Sequence, residues 1–457
     1  MSGEHSEEHT QNETDNLEGR EVETGRFKRA WKLGKLGAKV TGSLIKDQVK
    51  LTLSRGSQEA GSALQSAALK NAREIVTVMG QLKGAAMKLG QMLSADPELI
   101  DPEFARALEV LQRQAPPMPY QQLKRTLEAE LERPLHEVFI RFDPQPLGAA
   151  SIGQVHRATL HTGEEVAVKI QYPGIRESLE SDLANIERLL AIGRPLLPKE
   201  RAKEFIAELK SAFTQEADYA GEADKLEEFN RHFEDWPNIR IPYPYKELCT
   251  PNLLVMELIE GEVFHIAANQ LEDQSQRDQL METFIRAFVF MFHDLHRLHA
   301  DPHPGNFMLD EAGRLVILDF GCVRTFNPEL ADSVLSVLPA FWSGDAQRQL
   351  DSLLALGFGK PDAKLPSLAS IARHQALILQ PMAHCEPFSF YEWKVSEELK
   401  QLLSSDWSFM NLVPPAELLL YLRVISGIKG TLSQVKASCD IRTVAEETCL
   451  RRGLPIC

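Results

Sequence analysis

The sequence has few cysteines, no long apolar run and an excess of negative charge. The six cysteines among 457 residues are scattered and form no C-x-x-C pair, which excludes a zinc ribbon and favours a reducing compartment. No apolar run reaches the roughly 18 residues that a membrane span needs. The net charge of −15 argues against a nucleic-acid partner, because nucleic-acid-binding proteins carry a basic surface.

The first residues also lack the features of a secretory signal. They read MSGEHSEEHT, with no cationic start and no apolar stretch, so we expect no signal peptide and a cytoplasmic chain. Residues 1–25 are acidic and polar, which predicts a disordered tail. From Arg26 to Lys46, basic residues are interleaved with apolar ones such as Trp31. This pattern predicts an amphipathic helix that either binds the inner face of an anionic membrane or packs on the acidic protein itself.

The hydrophobic period changes along the chain. Residues 26–135 are predicted to form a helical extension. Short alternating segments then predict strands at Phe139–Phe142, Gln154–Leu160, Glu165–Gln171 and Leu253–Leu258. Helices are predicted again from about 175 to 233, from Gln274 to Leu298, and after Pro328. The predicted fold class is α+β, with a strand-rich domain at 136–258 and a helical domain at 259–457.

The strongest functional pattern lies between His299 and Gly321. It reads H-A-D-P-H-P-G-N and then L-D-F-G, and the spacing of Asp301, Asn306 and Asp319 suits the kinase catalytic loop and D-F-G motif. A short hairpin after Asn306 is predicted to bring these groups together. Asn306 and Asp319 are the predicted Mg²⁺ ligands, since Mg²⁺ prefers oxygen ligands. Asp301 is the predicted group that orients or deprotonates the phosphate acceptor.

A second pattern resembles the kinase strand whose lysine contacts the nucleotide phosphates. It reads V-A-V-K-I, and strand alternation predicts that Lys169 lies on the face opposite Val166 and Val168. One hairpin upstream, where kinases have a glycine-rich loop, the chain reads G-A-A-S-I-G-Q-V. The predicted nucleotide-binding residues of this loop are Ala149, Ala150, Ser151, Gly153 and Val155. No G-K-[ST] motif follows, which excludes a P-loop.

Two further assignments leave alternatives open. Met256–Gly261 is predicted to join the domains and to bind adenine through backbone groups of Glu257 and Ile259, although an ordinary strand end has the same letters. Four histidines, at 293, 296, 299 and 303, could place ring nitrogens on one side of a helix. No H-E-x-x-H pattern accompanies them, so this metal site is the weaker hypothesis.

Four motifs in order resemble the UbiB family of atypical kinase-like proteins. They are K-L-G-Q at 88–91, A-S-I-G-Q-V at 150–155 in an alanine-rich loop, E-A-D-Y at 216–219 followed by Glu222, and H-A-D-P-H-P-G-N at 299–306. The resemblance extends over about residues 27–430. It implies a protein-kinase-like two-lobed fold whose N-terminal helical extension carries K-x-G-Q.

The resemblance also implies roles for individual residues. Glu222 would pair with Lys169, and Glu216 and Asp218 would face Lys88 and Gln91, where a kinase binds its peptide. The family further implies a part in ubiquinone (isoprenoid quinone) biosynthesis, which no residue of the chain specifies.

Departures from ordinary protein kinases narrow the expected activity. Ala300 replaces an arginine, His303 takes the place of a lysine, no A-P-E motif follows Gly321, and the phosphate loop is alanine-rich. Gly148 stands where many members of the family carry a third alanine. ATP or ADP with Mg²⁺ is the expected cofactor, with slow ATP hydrolysis or transfer to a small or lipid-like acceptor.

Two other functions stay open: a protein kinase acting in trans, and a nucleotide-gated lipid-binding scaffold without catalysis. The expected partners beyond the nucleotide are an anionic membrane surface, an isoprenoid lipid or quinone-biosynthesis proteins. A homodimer is left open.

Overall fold

A computed structural model describes residues 118–150, 152–176, 213–359, 364–393 and 406–456, together with a few single residues between these ranges. They fall into two compact units. The first contains the residues up to Glu227 and Tyr243–Leu258, and the second contains Glu228–Pro242 and Ile259–Cys457. The predicted acidic tail, the basic helix and most of the helical extension lie outside the described residues.

The helices and strands are numbered in chain order. The helices are α1 (Tyr120–Leu131), α2 (Leu135–Val138), α3 (Tyr219–His232), α4 (Phe264–Gln270), α5 (Gln274–His293), α6 (Pro328–Trp342), α7 (Ala346–Ala355), α8 (Leu368–Ile378), α9 (Ala416–Leu432) and α10 (Ile441–Arg451). The strands are β1 (Phe139–Ala149), β2 (Gly153–Leu160), β3 (Glu165–Gln171), β4 (Ile239–Arg240), β5 (Leu253–Glu257), β6 (Gly261–Val263), β7 (Arg297–His299), β8 (Phe307–Asp310), β9 (Leu315–Ile317) and β10 (Val323–Thr325). None of the helices in the described ranges is long and apolar enough to cross a membrane.

An antiparallel sheet in the order β1-β2-β3-β5 forms the centre of the first unit. Alternation in β3 buries Val166, Val168 and Ile170 completely in the hydrophobic core, which leaves Lys169 on the opposite face. The predicted bounds of β3 are confirmed. Strand β1 continues to Ala149, beyond the predicted end at Phe142, with register shifts between Phe142 and Gly148. Two prolines, Pro144 and Pro146, lie in this stretch. Because proline has no N–H to donate to a strand ladder, its presence argued against a strand here.

Short strands and helices make up the second unit. The hairpin predicted after Asn306 is present as β8 and β9, within a sheet in the order β4-β9-β8-β6. The helix predicted to reach Leu298 ends instead at His293. His296 has φ 55°, a left-handed conformation that ends helical geometry, and β7 then pairs with β10.

Capping residues define the helices after Asn327, where a helical remainder was predicted. Side chains of Asn327, Asp345, Ser367 and Asp440 accept hydrogen bonds from the first turns of α6, α7, α8 and α10, which satisfies amides that the helix leaves unpaired. Helix α9 buries Leu418, Val424 and Leu432.

Candidate functional site

Lys169 and Glu222 form a buried ion pair in the first unit. The Lys169 Nζ atom lies 2.9 Å from Glu222 Oε1 and 3.0 Å from Oε2, and the two side chains are only 6% and 1% exposed. Lys169 Nζ also lies 4.8 Å from the centre of the Tyr219 ring, which adds a cation–π contact. The pairing that the family resemblance implied is therefore present.

The start of α3 is tied to the end of β3 through the carbonyl of Pro251. This oxygen accepts from the Tyr219 amide (3.2 Å) and from Gln171 Nε2 (3.1 Å). Asp218 Oδ1 accepts from the Gly221 amide at 3.1 Å, so Asp218 caps the helix that carries Glu222. Sequence reasoning missed this role, although an aspartate before a helical pattern is the usual signal. These contacts set the position of the Glu222 carboxylate.

The K-x-G-Q motif and the E-x-D motif that it is expected to face are not both within the described part of the chain. Lys88 and Gln91 lie outside the described residues, whereas Glu216 is half-buried and Asp218 is exposed. The facing of these groups stays a prediction.

The hairpin between β1 and β2 occupies the predicted phosphate loop. The Ala150 amide donates to the Gly153 carbonyl at 2.9 Å. A Cβ atom at Gly153 would lie 2.2 Å from the Ile170 carbonyl oxygen, whereas a Cβ at Gly148 would meet no atom within 4 Å. Gly153 is therefore required by the close approach of β3, and Gly148 is not. Ala149 is exposed, Val155 pairs with Lys169 in the ladder, and Ser151 lies outside the described residues.

Gln154 of the same motif starts a buried polar network that sequence reasoning did not assign. Its Oε1 accepts from the Met118 amide at 2.8 Å, and its Nε2 lies 2.7 Å from His156 Nε2. His156 Nδ1 lies 2.9 Å from the Asp143 carbonyl oxygen. Because Gln154 can only donate to the ring, His156 carries its proton on Nδ1 and is neutral. Burial also lowers the pKa of His156.

The predicted adenine contacts lie at the end of β5. The Glu257 amide donates to the Tyr243 carbonyl at 2.8 Å, and the Leu258 amide donates to the Glu165 carbonyl at 3.0 Å. Because the Glu257 N–H is already bonded, only its carbonyl could contact a base. The assignment of Glu257 and of the buried Ile259 to adenine stays a prediction.

The catalytic-loop pattern of the second unit forms a closed set of hydrogen bonds around the Asp301 carbonyl. Asn306 Nδ2 donates to this oxygen at 2.8 Å, and so does the His303 amide at 2.8 Å. The Asn306 carbonyl accepts from the Leu318 amide at 2.8 Å, which connects the loop to the D-F-G segment. The Asn306 side chain is thereby oriented with its amide oxygen as the acceptor that remains.

Asp319 has an unusual backbone conformation, with φ 52°. Aspartate tolerates the left-handed region better than most residues, and Asp319 Oδ1 accepts from the Gly321 amide at 3.1 Å. The buried His299 Nε2 lies 3.0 Å from the Asp319 carbonyl and 3.2 Å from the Leu318 carbonyl. Since both are acceptors, Nε2 carries the proton. The neighbouring Phe320 packs on Phe229 and on His299, with ring centres 4.6 and 5.3 Å away.

The donor set of the catalytic loop fits Mg²⁺. This ion takes few protein ligands and completes its shell with water and phosphate oxygens, so an oriented amide oxygen at Asn306 and a carboxylate at Asp319 are a suitable pair. Within the described residues, no group of three or more His, Cys, Asp or Glu could hold a metal ion without such added ligands.

The four histidines of the weaker metal hypothesis do not share a helix face. His293 ends α5 and is buried, and this burial lowers its pKa to about 4. His299 Nε2 is bonded to backbone carbonyls, and His303 Nδ1 accepts from the Gly305 amide at 3.1 Å. The expected convergence depended on a helix that continued past His293, which the structure lacks.

The fold, the lysine–glutamate pair and the D-F-G geometry define a protein-kinase-like protein. The model of the ABC1 atypical kinase-like domain matches residues 110–353, more than half of the chain. The chain belongs to this family of atypical kinase-like proteins, the UbiB family.

Relatives and a solved structure agree with this assignment. The rat protein "Atypical kinase COQ8B, mitochondrial" is 33% identical over 349 residues, which are 76% of this chain and 65% of the relative. The nematode Caenorhabditis elegans protein "Atypical kinase coq-8, mitochondrial" is 29% identical over 377 residues, 80% of this chain and 49% of the relative. The chain thus spans 65% of the length of the first relative and 49% of the length of the second. The solved structure of Rv3197 with erythromycin, from Mycobacterium tuberculosis, has a TM-score of 0.64 at 29% identity and covers 86% of this chain and 98% of that one.

Proposed function

We propose that this protein binds Mg-ATP or Mg-ADP and catalyses slow ATP hydrolysis or phosphoryl transfer to a small or lipid-like acceptor. The observation that carries the proposal is the bond from Asn306 Nδ2 to the Asp301 carbonyl, which orients the Asn306 amide oxygen. The Leu318 amide joins this loop to the D-F-G segment, where Asp319 has a left-handed conformation. An oriented amide oxygen and a carboxylate are ligands that suit Mg²⁺, which would complete its shell with water and phosphate oxygens. A bound Mg²⁺ would neutralise phosphate charge.

The chain's own residues have separate tasks in this proposal. Lys169 contacts phosphate oxygens of the nucleotide, and Glu222 holds the lysine in position. Asp301 accepts the proton of the attacking water or hydroxyl while a new oxygen–phosphorus bond forms and the bond from the γ-phosphorus to ADP breaks, with ADP as the leaving group.

His303 supports a slow reaction rather than efficient protein phosphorylation. Its Nδ1 accepts a hydrogen bond from the Gly305 amide, so the ring has only Nε2 left for a ligand. A short ring bonded to its own loop stabilises a transferring phosphate less than the long, flexible lysine cation that ordinary kinases have here.

The pathway part of the proposal is support of ubiquinone biosynthesis at a membrane face, with the protein bound peripherally. It rests on membership of the family and on relatives named COQ8B and coq-8. Isoprenoid lipids or other proteins of that pathway are the proposed partners.

Titration of Mg-ADP and Mg-ATP into wild type and Asp319→Asn tests the metal assignment. Asparagine keeps the left-handed backbone and the bond to the Gly321 amide, so the variant should fold and lose Mg²⁺-dependent affinity. Asp273→Asn is the matched control, because Asp273 is an exposed helix cap that asparagine replaces well. Equal affinity in all three proteins would remove Asp319 from the site.

Phosphate release with and without vesicles containing anionic lipid separates catalysis from a scaffold. Mg²⁺-dependent release in wild type that is lost in Asp319→Asn supports the proposal, whereas nucleotide binding without release under either condition favours the scaffold. Quinone profiling of a deletion strain tests the pathway, and unchanged quinone levels would contradict it.

A further inference from the structure

Helix α9 packs directly on the segment that follows Asp301. At Gly427, a Cβ atom would lie 2.4 Å from Pro302 Cγ, far inside the usual carbon–carbon contact distance of about 3.5–4.0 Å. One turn later, Thr431 Oγ1 donates to the Pro302 carbonyl at 2.9 Å, and Thr431 is only 1% exposed. One helix face therefore contacts both the ring and the carbonyl of Pro302.

The peptide between Asp301 and Pro302 is also held by hydrogen bonds within the catalytic loop. The Asp301 carbonyl accepts from Asn306 Nδ2 and from the His303 amide. Pro302 is covalently joined to Asp301, so a displacement of its ring changes the backbone position of the proposed acceptor-binding carboxylate. Since misplacement by about 1 Å can cost about 100-fold in rate, the contact with α9 bears on catalysis.

Helix α9 is anchored along its length and cannot simply move away from Pro302. At its start, Glu417 Oε1 accepts from the Asn327 amide at 3.2 Å. In its middle, the Tyr421 ring stacks on Phe292 with centres 4.2 Å apart. At its end, Leu432 is buried. A side chain added at Gly427 must therefore be accommodated mainly by the catalytic loop.

A second glycine of the same helix shows that the contact is specific to Gly427. A Cβ atom at Gly430 would meet no atom within 4 Å. Both glycines lie inside α9, and alanine would raise the helix propensity at both positions. Pro302 leaves no room for a side chain at Gly427, whereas no described residue restricts the space at Gly430.

We infer that Gly427 and Thr431 are positioning residues for Asp301, which act through Pro302 to set the geometry of the catalytic loop. Their catalytic consequence rests on the proposed function. The contact itself is a property of the second unit and is measurable without turnover.

The test compares Gly427→Ala with Gly430→Ala in the full chain. Gly427→Ala should speed hydrogen–deuterium exchange at the His303 and Asn306 amides, which are bonded to loop carbonyls. It should also lower kcat for phosphate release by about 10- to 100-fold, with a smaller loss of affinity for Mg-ADP. Gly430→Ala should match wild type in all three measurements.

A second pair of variants tests the hydroxyl without adding bulk. Thr431→Val removes the donor to Pro302 and keeps the shape, and Thr431→Ser keeps the donor. Valine should change loop exchange and kcat in the same direction as Gly427→Ala, and serine should restore wild-type values. If Thr431 only stabilised the fold, Thr431→Val would lower the free energy of unfolding but would not reduce kcat more than the affinity for Mg-ADP.

The outcomes distinguish this inference from the proposed function. If loop exchange is the same in Gly427→Ala and Gly430→Ala, the positioning role is overturned whatever the activity. If Gly427→Ala alters loop exchange but wild type releases no phosphate, the control of the loop by α9 is confirmed and the proposed catalysis is not.

Discussion

Lys169 Nζ lies within 3.0 Å of both carboxylate oxygens of Glu222, on side chains almost fully removed from solvent. Removing two charges from water in this way costs free energy, and only a close attraction between them offsets that cost. Each of the two charges therefore depends on the other, and this arrangement agrees with the proposed contact between Lys169 and phosphate.

Breaking this pair from one side should strongly destabilise the fold. Lys169→Met removes the lysine that pairs with the buried Glu222 carboxylate, and we expect a loss of about 3–5 kcal/mol in the free energy of unfolding. Chemical denaturation monitored by circular dichroism measures this loss. The double variant Lys169→Met/Glu222→Leu removes both charges and should recover most of the stability, but it should not bind Mg-nucleotide.

If the double variant is no more stable than Lys169→Met, the loss of the lysine opposite a buried carboxylate is not the cause of the destabilisation. If it binds nucleotide as wild type does, Lys169 has no role in the site.

The two glycines of the phosphate-loop hairpin should respond differently to alanine. Gly153→Ala places a Cβ against the backbone carbonyl of Ile170, which forces β2 and β3 apart, and we expect a destabilisation of about 1–3 kcal/mol. Gly148→Ala has open space and should stay within about 0.5 kcal/mol of wild type. Thermal unfolding of both variants checks this contrast, and equal melting temperatures would contradict it.

Because the backbone at Asp319 is left-handed, the stability of variants at this position should depend on the new residue's conformational preference as well as on its charge. Asparagine adopts φ near 52° with little strain, whereas alanine should cost about 1–2 kcal/mol and also lose the bond to the Gly321 amide. We therefore expect Asp319→Ala to unfold at a lower denaturant concentration than Asp319→Asn, although both lose the carboxylate. A reversed order would show that the conformation is not a constraint.

Stability should fall as the pH is lowered, through His293. Its pKa is lowered by burial from 6.5 to about 4 in the folded state, so the unfolded chain binds the extra proton between these values and the folded state loses stability as pH falls through that window. From pH 7 to 5 we expect a loss of about 2 kcal/mol from this one group. His293→Gln does not titrate and should show a smaller loss over the same range.

Denaturation curves of wild type and His293→Gln at pH 7, 6 and 5 provide the comparison. Identical pH slopes would show that His293 does not set the acid sensitivity.

Local patterns made part of the fold predictable. Strand β3 and the β8–β9 hairpin follow from alternation and turn residues within a few positions, and the structure contains both. The end of α5 and strand β7 were missed, because the conformation of His296 and the pairing of Leu298 with Arg324 depend on a segment that follows much later in the chain.

The same division holds for the candidate site. Only one loop and one hairpin separate Asp301, Asn306 and Asp319 along the chain. Their residue types and spacing were therefore enough to propose them as site residues. The role of Gln154 as a buried anchor for Met118 had no comparable signal, since the two residues are 36 positions apart. The cap at Asp218 is local and had the usual signal, an aspartate before a helical pattern.

The sequence by itself determined the chemistry available to this protein: which carboxylates, amides and lysine lie at kinase-like spacing, and the family to which the motifs belong. Tertiary structure decided which distant groups meet. Lys169 pairs with Glu222, which lies 53 positions later in the chain, and Thr431 donates to the carbonyl of Pro302, 129 positions earlier. The physical reason is that spacing along a strand or loop follows from local backbone geometry, whereas contacts between remote segments follow from the packing of the whole chain.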